Sequence, residues 1–210
     1  MEKEKKSSFR TLLLSVLFSA FGPIVLGLGL MVGHSSTQIA DFTRRTAELL
    51  ALIVALVIYA VTNRRQDMAE ERKKDLERKG NLFTGTIMCI SGLSMLVLAV
   101  LSTDGDKGNV IPAMLIAFMG VVANAIFWRR YTTLARRQGN SILGVQARLY
   151  GAKTAVDVCV TSALAAVLAF PGTGVSYWLD KAGTALVSLY MIRCGIKTIH
   201  EQRKAASPGP

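Results

Sequence analysis

Two carboxylates, Glu48 and Asp157, stand inside otherwise apolar stretches of this chain. An ionisable side chain in a membrane-spanning helix costs roughly 2.5–3.5 kcal/mol on insertion scales, so it is seldom kept without a task. Helical spacings of three and four put Arg44 beside Glu48, and Lys153 and Thr154 beside both Tyr150 and Asp157. If the second and fifth apolar stretches touch, all of these residues form one polar cluster. Such a cluster could bind a cation or exchange protons at its carboxylates. It could equally be two interfacial ion pairs, Arg44 with Glu48 and Lys153 with Asp157, each four residues apart.

The elements that must position these side chains are six apolar runs, 11–32, 46–63, 81–103, 109–128, 154–170 and 175–199. A helix of about 20 residues at ~1.5 Å rise per residue crosses a hydrocarbon core of ~30 Å. Runs 11–32, 81–103 and 109–128 do so without a charge. The expected fold is therefore all-α: a polytopic integral membrane protein with six transmembrane helices over 11–200. A basic segment, 1–10, precedes it and a disordered tail, 201–210, follows. The first run exceeds a signal-peptide apolar region, and Gly33, His34 and Ser35 make a poor cleavage site, so it reads as a retained helix.

Charge orients the bundle. The net charge is +11, yet 21 of the 25 Lys and Arg fall in 1–10, 64–79, 129–153 and 193–210. That alternation follows the positive-inside rule and puts both termini and the two long loops in the cytoplasm, where the surplus charge meets anionic lipid. Nucleic acid is not needed to explain it. Within the second segment, Glu70 with Lys74 and Asp75 with Lys79 suit a solvated helical connector, and Gly139, Asn140 and Ser141 mark a break between two helix ends. Short external turns are expected to make neighbours of the third and fourth helices and of the fifth and sixth.

The remaining polar and sulfur residues read as packing. Asn124, Asp41 and Asp180 are assigned to helix contacts, and Cys89, Cys159 and Cys194 act as small apolar side chains. Gly22-Pro23 followed by Gly27, Gly29 and Gly33 loosen the first helix and let another backbone approach, for packing or, alternatively, gating. No phosphate-binding loop, zinc-protease motif or Ser/His/Asp spacing is present, so an enzyme is not expected.

The order of features resembles the cation diffusion facilitators. The resemblance rests on Ala40-Asp41 followed by Glu48, Asn124 followed by WRRYTTLARRQGNS, the 147–157 stretch, and Trp178-Leu179-Asp180 leading to MIRCGIKTIHE. It implies six helices, cytoplasmic ends, a homodimer and a tetrahedral divalent-metal site built from two pairs of ligands, each pair four residues apart, on helices two and five. Carried over, those pairs fall on Arg44 with Glu48 and on Tyr150 with Thr154. A guanidinium has no free lone pair for a metal, so the implied site is degenerate. Asp157 could join Glu48 in an oxygen-rich set suiting Mn²⁺ or Mg²⁺ better than Zn²⁺. The family's cytoplasmic metal-sensing domain is not expected, because the chain stops at Pro210.

The function implied is export of a cation, a divalent metal first, from the cytoplasm by proton antiport across a plasma membrane of the bacterial inner-membrane kind. Its partners would be the lipid bilayer, the cation and protons, with no cofactor beyond that substrate. Alternatives are a non-transporting membrane partner or scaffold that has lost the metal site, or an exporter of an organic cation held by a carboxylate and Tyr150.

Overall fold

Lipid offers the backbone no hydrogen-bond partner, so long apolar runs must satisfy their amides internally, and helices do this within one segment. The computed structural model describes residues 2–32, 36–64, 68–101, 110–169 and 175–205, and every regular element among them is helical. The order is α1 Glu2–Val32, α2 Ser36–Arg64, α3 Glu70–Leu101, α4 Val110–Gln138, α5 Ser141–Ala169 and α6 Val175–Lys204. Among the described residues, α1, α2 and α3 carry stretches long and apolar enough to cross a membrane. Leu13, Leu14, Leu17, Phe18 and Phe21 of α1 are exposed, as expected of a face meeting acyl chains.

The helices overrun the expected spans at the Lys/Arg-rich end of the bundle. The charged stretch taken for a separate connector continues without a break into the apolar part of α3 from Glu70 onward. Lys79 and Arg78 pair with Asp75 at 2.7 and 2.8 Å, and Lys73 with Glu70 at 3.8 Å, which supports the exposed turns. Glu201–Lys204, assigned above to a disordered tail, form the last turn of α6. Arg148 of α5 holds Glu201 there through two bonds of 2.6 and 3.1 Å. Residues 206–210 lie outside the described residues.

The break between α4 and α5 falls where the sequence puts it. Gly139 has φ +59°, a left-handed conformation that ends α4. Asn140 then caps α5, its Oδ1 accepting from the Leu143 amide at 3.2 Å. Glu77 of α3 accepts from Ser141 Oγ at 2.8 Å and from Asn140 Nδ2 at 3.2 Å, tying this turn to the third helix.

Packing differs from the order expected of short loops. α4 lies along α5 and α5 contacts α6, but α3 lies along α6, with no comparable contact to α4 among the described residues. Close backbone approach explains the choice. A Cβ at Gly92 would come within 2.8 Å of the Ser188 carbonyl oxygen, and one at Gly195 within 2.7 Å of the Gly85 oxygen. In lipid, where apolar surfaces gain little by leaving solvent, such small-residue seams set the partner.

Hydroxyl groups hold α1 to the bundle. Tyr131 Oη donates to Ser15 Oγ, which donates to the Leu12 carbonyl. Ser19 Oγ donates to Tyr150 Oη at 3.1 Å, and Tyr150 Oη donates to the Ser15 carbonyl at 3.3 Å. Each run ends on a backbone oxygen, so the network fastens α1 to α4 and α5.

Substitution of Gly92 by Ala is expected to destabilise the protein by roughly 1–3 kcal/mol, the usual cost of overpacking. Gly144→Ala, where nothing lies within 4 Å of the added carbon, should instead gain up to ~1 kcal/mol of helix propensity. Thermal unfolding of both variants in one detergent checks the pair.

Candidate functional site

The two carboxylates sit deeper than the apolar runs suggest. The fifth run starts at Thr154, which would put Asp157 one turn inside its helix. Because α5 begins at Ser141, Asp157 lies near the helix midpoint, as Glu48 does on α2. Both therefore stand near the middle of their helices, well away from either helix end.

Glu48 is 1% exposed. Its Oε1 accepts from Arg44 Nη1 at 3.1 Å, one turn earlier on α2, and its Oε2 faces Lys153 Nζ of α5, also at 3.1 Å. A buried carboxylate is costly unless paired and fully bonded, and here each oxygen has a cation of its own. Lys153 also stands 5.2 Å from the centre of the Tyr150 ring, within cation–π range. The expected partnership of Lys153 with Asp157 is thus replaced by one with Glu48, across the contact between α2 and α5.

Asp157 is seated on α4. Its Oδ2 accepts from Asn124 Nδ2 at 2.6 Å. Gly120, one turn before Asn124, leaves the space, since a Cβ there would lie 2.8 Å from Oδ2. The charges of Arg45, Lys153 and Arg44 all reach Asp157, and the same three act on Glu48. Arg45 lies with its stem against Gly22 of α1, where an added Cβ would be 3.3 Å from its Cδ, and Gly27 is filled similarly by Phe42. Gly22 and Gly27 of the first helix thus receive side chains from the second.

Tyr150 and Thr154 do not complete a ligand set. Thr154 Oγ1 is spent on the Tyr150 carbonyl at 2.8 Å, and the Tyr150 hydroxyl is bonded to α1. The α5 pair four apart that serves the carboxylate cluster is Lys153 with Asp157, so the positions around it are Arg44, Glu48, Lys153 and Asp157. Two are acids and two are fixed cations, which is not a donor set for tetrahedral zinc. Among the described residues, no group of three or more His, Cys, Asp or Glu could hold a metal ion. The side chains of Asp41 and Asp180, assigned to helix packing, lie outside the described residues.

One residue was missed by sequence reasoning. Gln146 is completely buried, and neither its Oε1 nor its Nε2 has a partner. Spacings of four, three and four set Gln146, Tyr150, Lys153 and Asp157 on one face of α5. A polar stripe thus runs from the basic end of α5 to the cluster, and that periodicity was the available signal.

A polytopic helical bundle with carboxylates at the centre of its second and fifth helices belongs to the class of membrane ion transporters. Residues 12–204 match the cation efflux transmembrane domain, and the chain belongs to this family, the cation diffusion facilitators. The family comprises multi-pass cation transporters and not enzymes. No curated protein matches the chain.

Replacing Gln146 by Leu removes an unbonded buried amide, so stability should rise by about 1 kcal/mol. Thermal unfolding of the variant beside wild type in one detergent checks this. Gly120→Ala should displace Asp157 and cut flux while Asn124 remains in place.

Proposed function

We propose that this protein exports a cation by letting it replace the Lys153 ammonium on Glu48. The observation that carries the reading is the 3.1 Å contact between Lys153 and Glu48 across α2 and α5. In this scheme an internal ammonium holds the two helices together when no substrate is bound. An incoming cation competes for the same carboxylate and frees α5 to move against α2, which is the relative motion alternating access needs.

Charge balance bears on the substrate. With Lys153 withdrawn, the two negative charges of Glu48 and Asp157 are offset by Arg44 and in part by the nearby Arg45, leaving at most one net negative charge. That suits a singly charged cation, an alkali ion or organic ammonium, better than the divalent metal implied by the family pattern. The donors are all oxygen, which also disfavours zinc. When the cation leaves, a proton on either carboxylate can take its place until Lys153 returns, which is how exchange against protons would enter the scheme. The Lys/Arg-rich end faces the cytoplasm of the plasma membrane under the positive-inside rule, and export runs away from it.

A second reading draws on the same geometry. Both oxygens of Glu48 already hold fixed cations, as would suit a non-transporting partner that retains the fold.

Proteoliposome flux separates the two. Uptake with a lumenal pH change is measured for Na⁺, K⁺, tetraethylammonium, Mg²⁺, Mn²⁺ and Zn²⁺. Lys153→Met removes the internal competitor and should tighten apparent cation affinity about tenfold or more, while Glu48→Gln should abolish flux. No flux of any cation from folded wild-type protein would transfer the assignment to the non-transporting reading.

A further inference from the structure

The basic end of α1 and α4 carries a second feature, independent of the carboxylate cluster. The apolar part of α4 ends at Trp128, which is 45% exposed, and Arg129 and Arg130 follow at once. An exposed tryptophan between apolar and cationic residues marks the level of lipid headgroups. At this level a cavity of about 220 Å³ is lined by Ser7 of α1 and by Arg129, Arg130, Thr133 and Leu134 of α4. Arg129 and Arg130 form no ion pair among the described residues, whereas Arg44, Arg78 and Arg148 are each bound to a carboxylate.

The lining discriminates among ligands. Thr133 Oγ1 donates to the Arg129 carbonyl at 2.9 Å, so the guanidinium groups and the Ser7 hydroxyl are the side-chain donors left for a ligand. Guanidinium forks match phosphate oxygens in geometry and charge. Leu134 supplies an apolar wall. On the membrane side, Leu14 and Phe18 follow Ser7 by seven and eleven residues and so share its face of α1; they are 42% and 63% exposed. Phe18 packs edge-on against Phe127 of α4, with ring centres 5.9 Å apart, and closes the gap between the helices there. An anionic pocket ligand with apolar chains would find its acid group at Arg129 and Arg130 and its chains along Leu14 and Phe18.

We propose that this groove between α1 and α4 binds the phosphodiester headgroup of an anionic phospholipid. Basic pockets between helices at the cytoplasmic boundary are the usual form of such sites. The apolar ridge leading from the pocket favours a lipid over free phosphate.

The test uses the full chain in detergent, with native mass spectrometry of retained phosphatidylglycerol against phosphatidylcholine, and inorganic phosphate as competitor. The Arg129→Gln/Arg130→Gln variant is compared with Arg136→Gln/Arg137→Gln, which removes the same charge from exposed α4 positions outside the groove. The expected result is preference for phosphatidylglycerol, an about tenfold loss in the first variant only, and no displacement by millimolar phosphate. Arg129→Lys/Arg130→Lys, which keeps the charge and loses the fork, should retain less lipid than wild type. Equal losses in both Gln variants, no preference between the lipids, or displacement by phosphate would overturn the proposal.

Discussion

A carboxylate buried inside a membrane domain must be neutralised by something, and the choice of that something constrains the rest of this molecule. Glu48 takes one cation from its own helix and one from α5. The first, Arg44, is local and needs only helical spacing. The second, Lys153, requires α5 to lie against α2 at one depth and one rotation. The extended helices, the capped turn at Gly139 and Asn140, and the clamp from Glu77 together fix where α5 starts and hence where Lys153 stands.

The two carboxylates have different roles because their surroundings differ. Glu48 is saturated by charge, whereas Asp157 is bonded by a neutral amide from Asn124 beside the gap left by Gly120. Glu48 bridges α2 and α5, and Asp157 bridges α5 and α4. The hydroxyl network of α1, by contrast, ends each time on a backbone carbonyl and serves as fastening.

Much of this was legible in the residues. The six helices, the break at Gly139, the place of Glu48 and Asp157 inside apolar helices and the family all follow from hydropathy, charge alternation and the order of motifs. Three things did not. The apolar runs under-report helix length, because charged turns at the basic end are stabilised by ion pairs that hydropathy scores as loop, and this put Asp157 too near the start of its helix. Loop length suggested α3 beside α4, whereas backbone approach at Gly92 and Gly195 selects α6. Sequence spacing paired Lys153 with its nearest carboxylate on α5, but a lysine stem can turn toward another helix, and no one-dimensional pattern carries that choice.

The central claim is that Glu48 and Lys153 form one energetic unit across α2 and α5. A double-mutant cycle tests it most directly: reversible unfolding of wild type, Glu48→Gln, Lys153→Met and the double variant in the same bicelles. Breaking a buried pair by removing one partner costs about 3–5 kcal/mol, and removing both restores much of that. The account predicts that the double variant is more stable than additivity allows by about 2 kcal/mol or more. Additive effects within about 0.5 kcal/mol would contradict it.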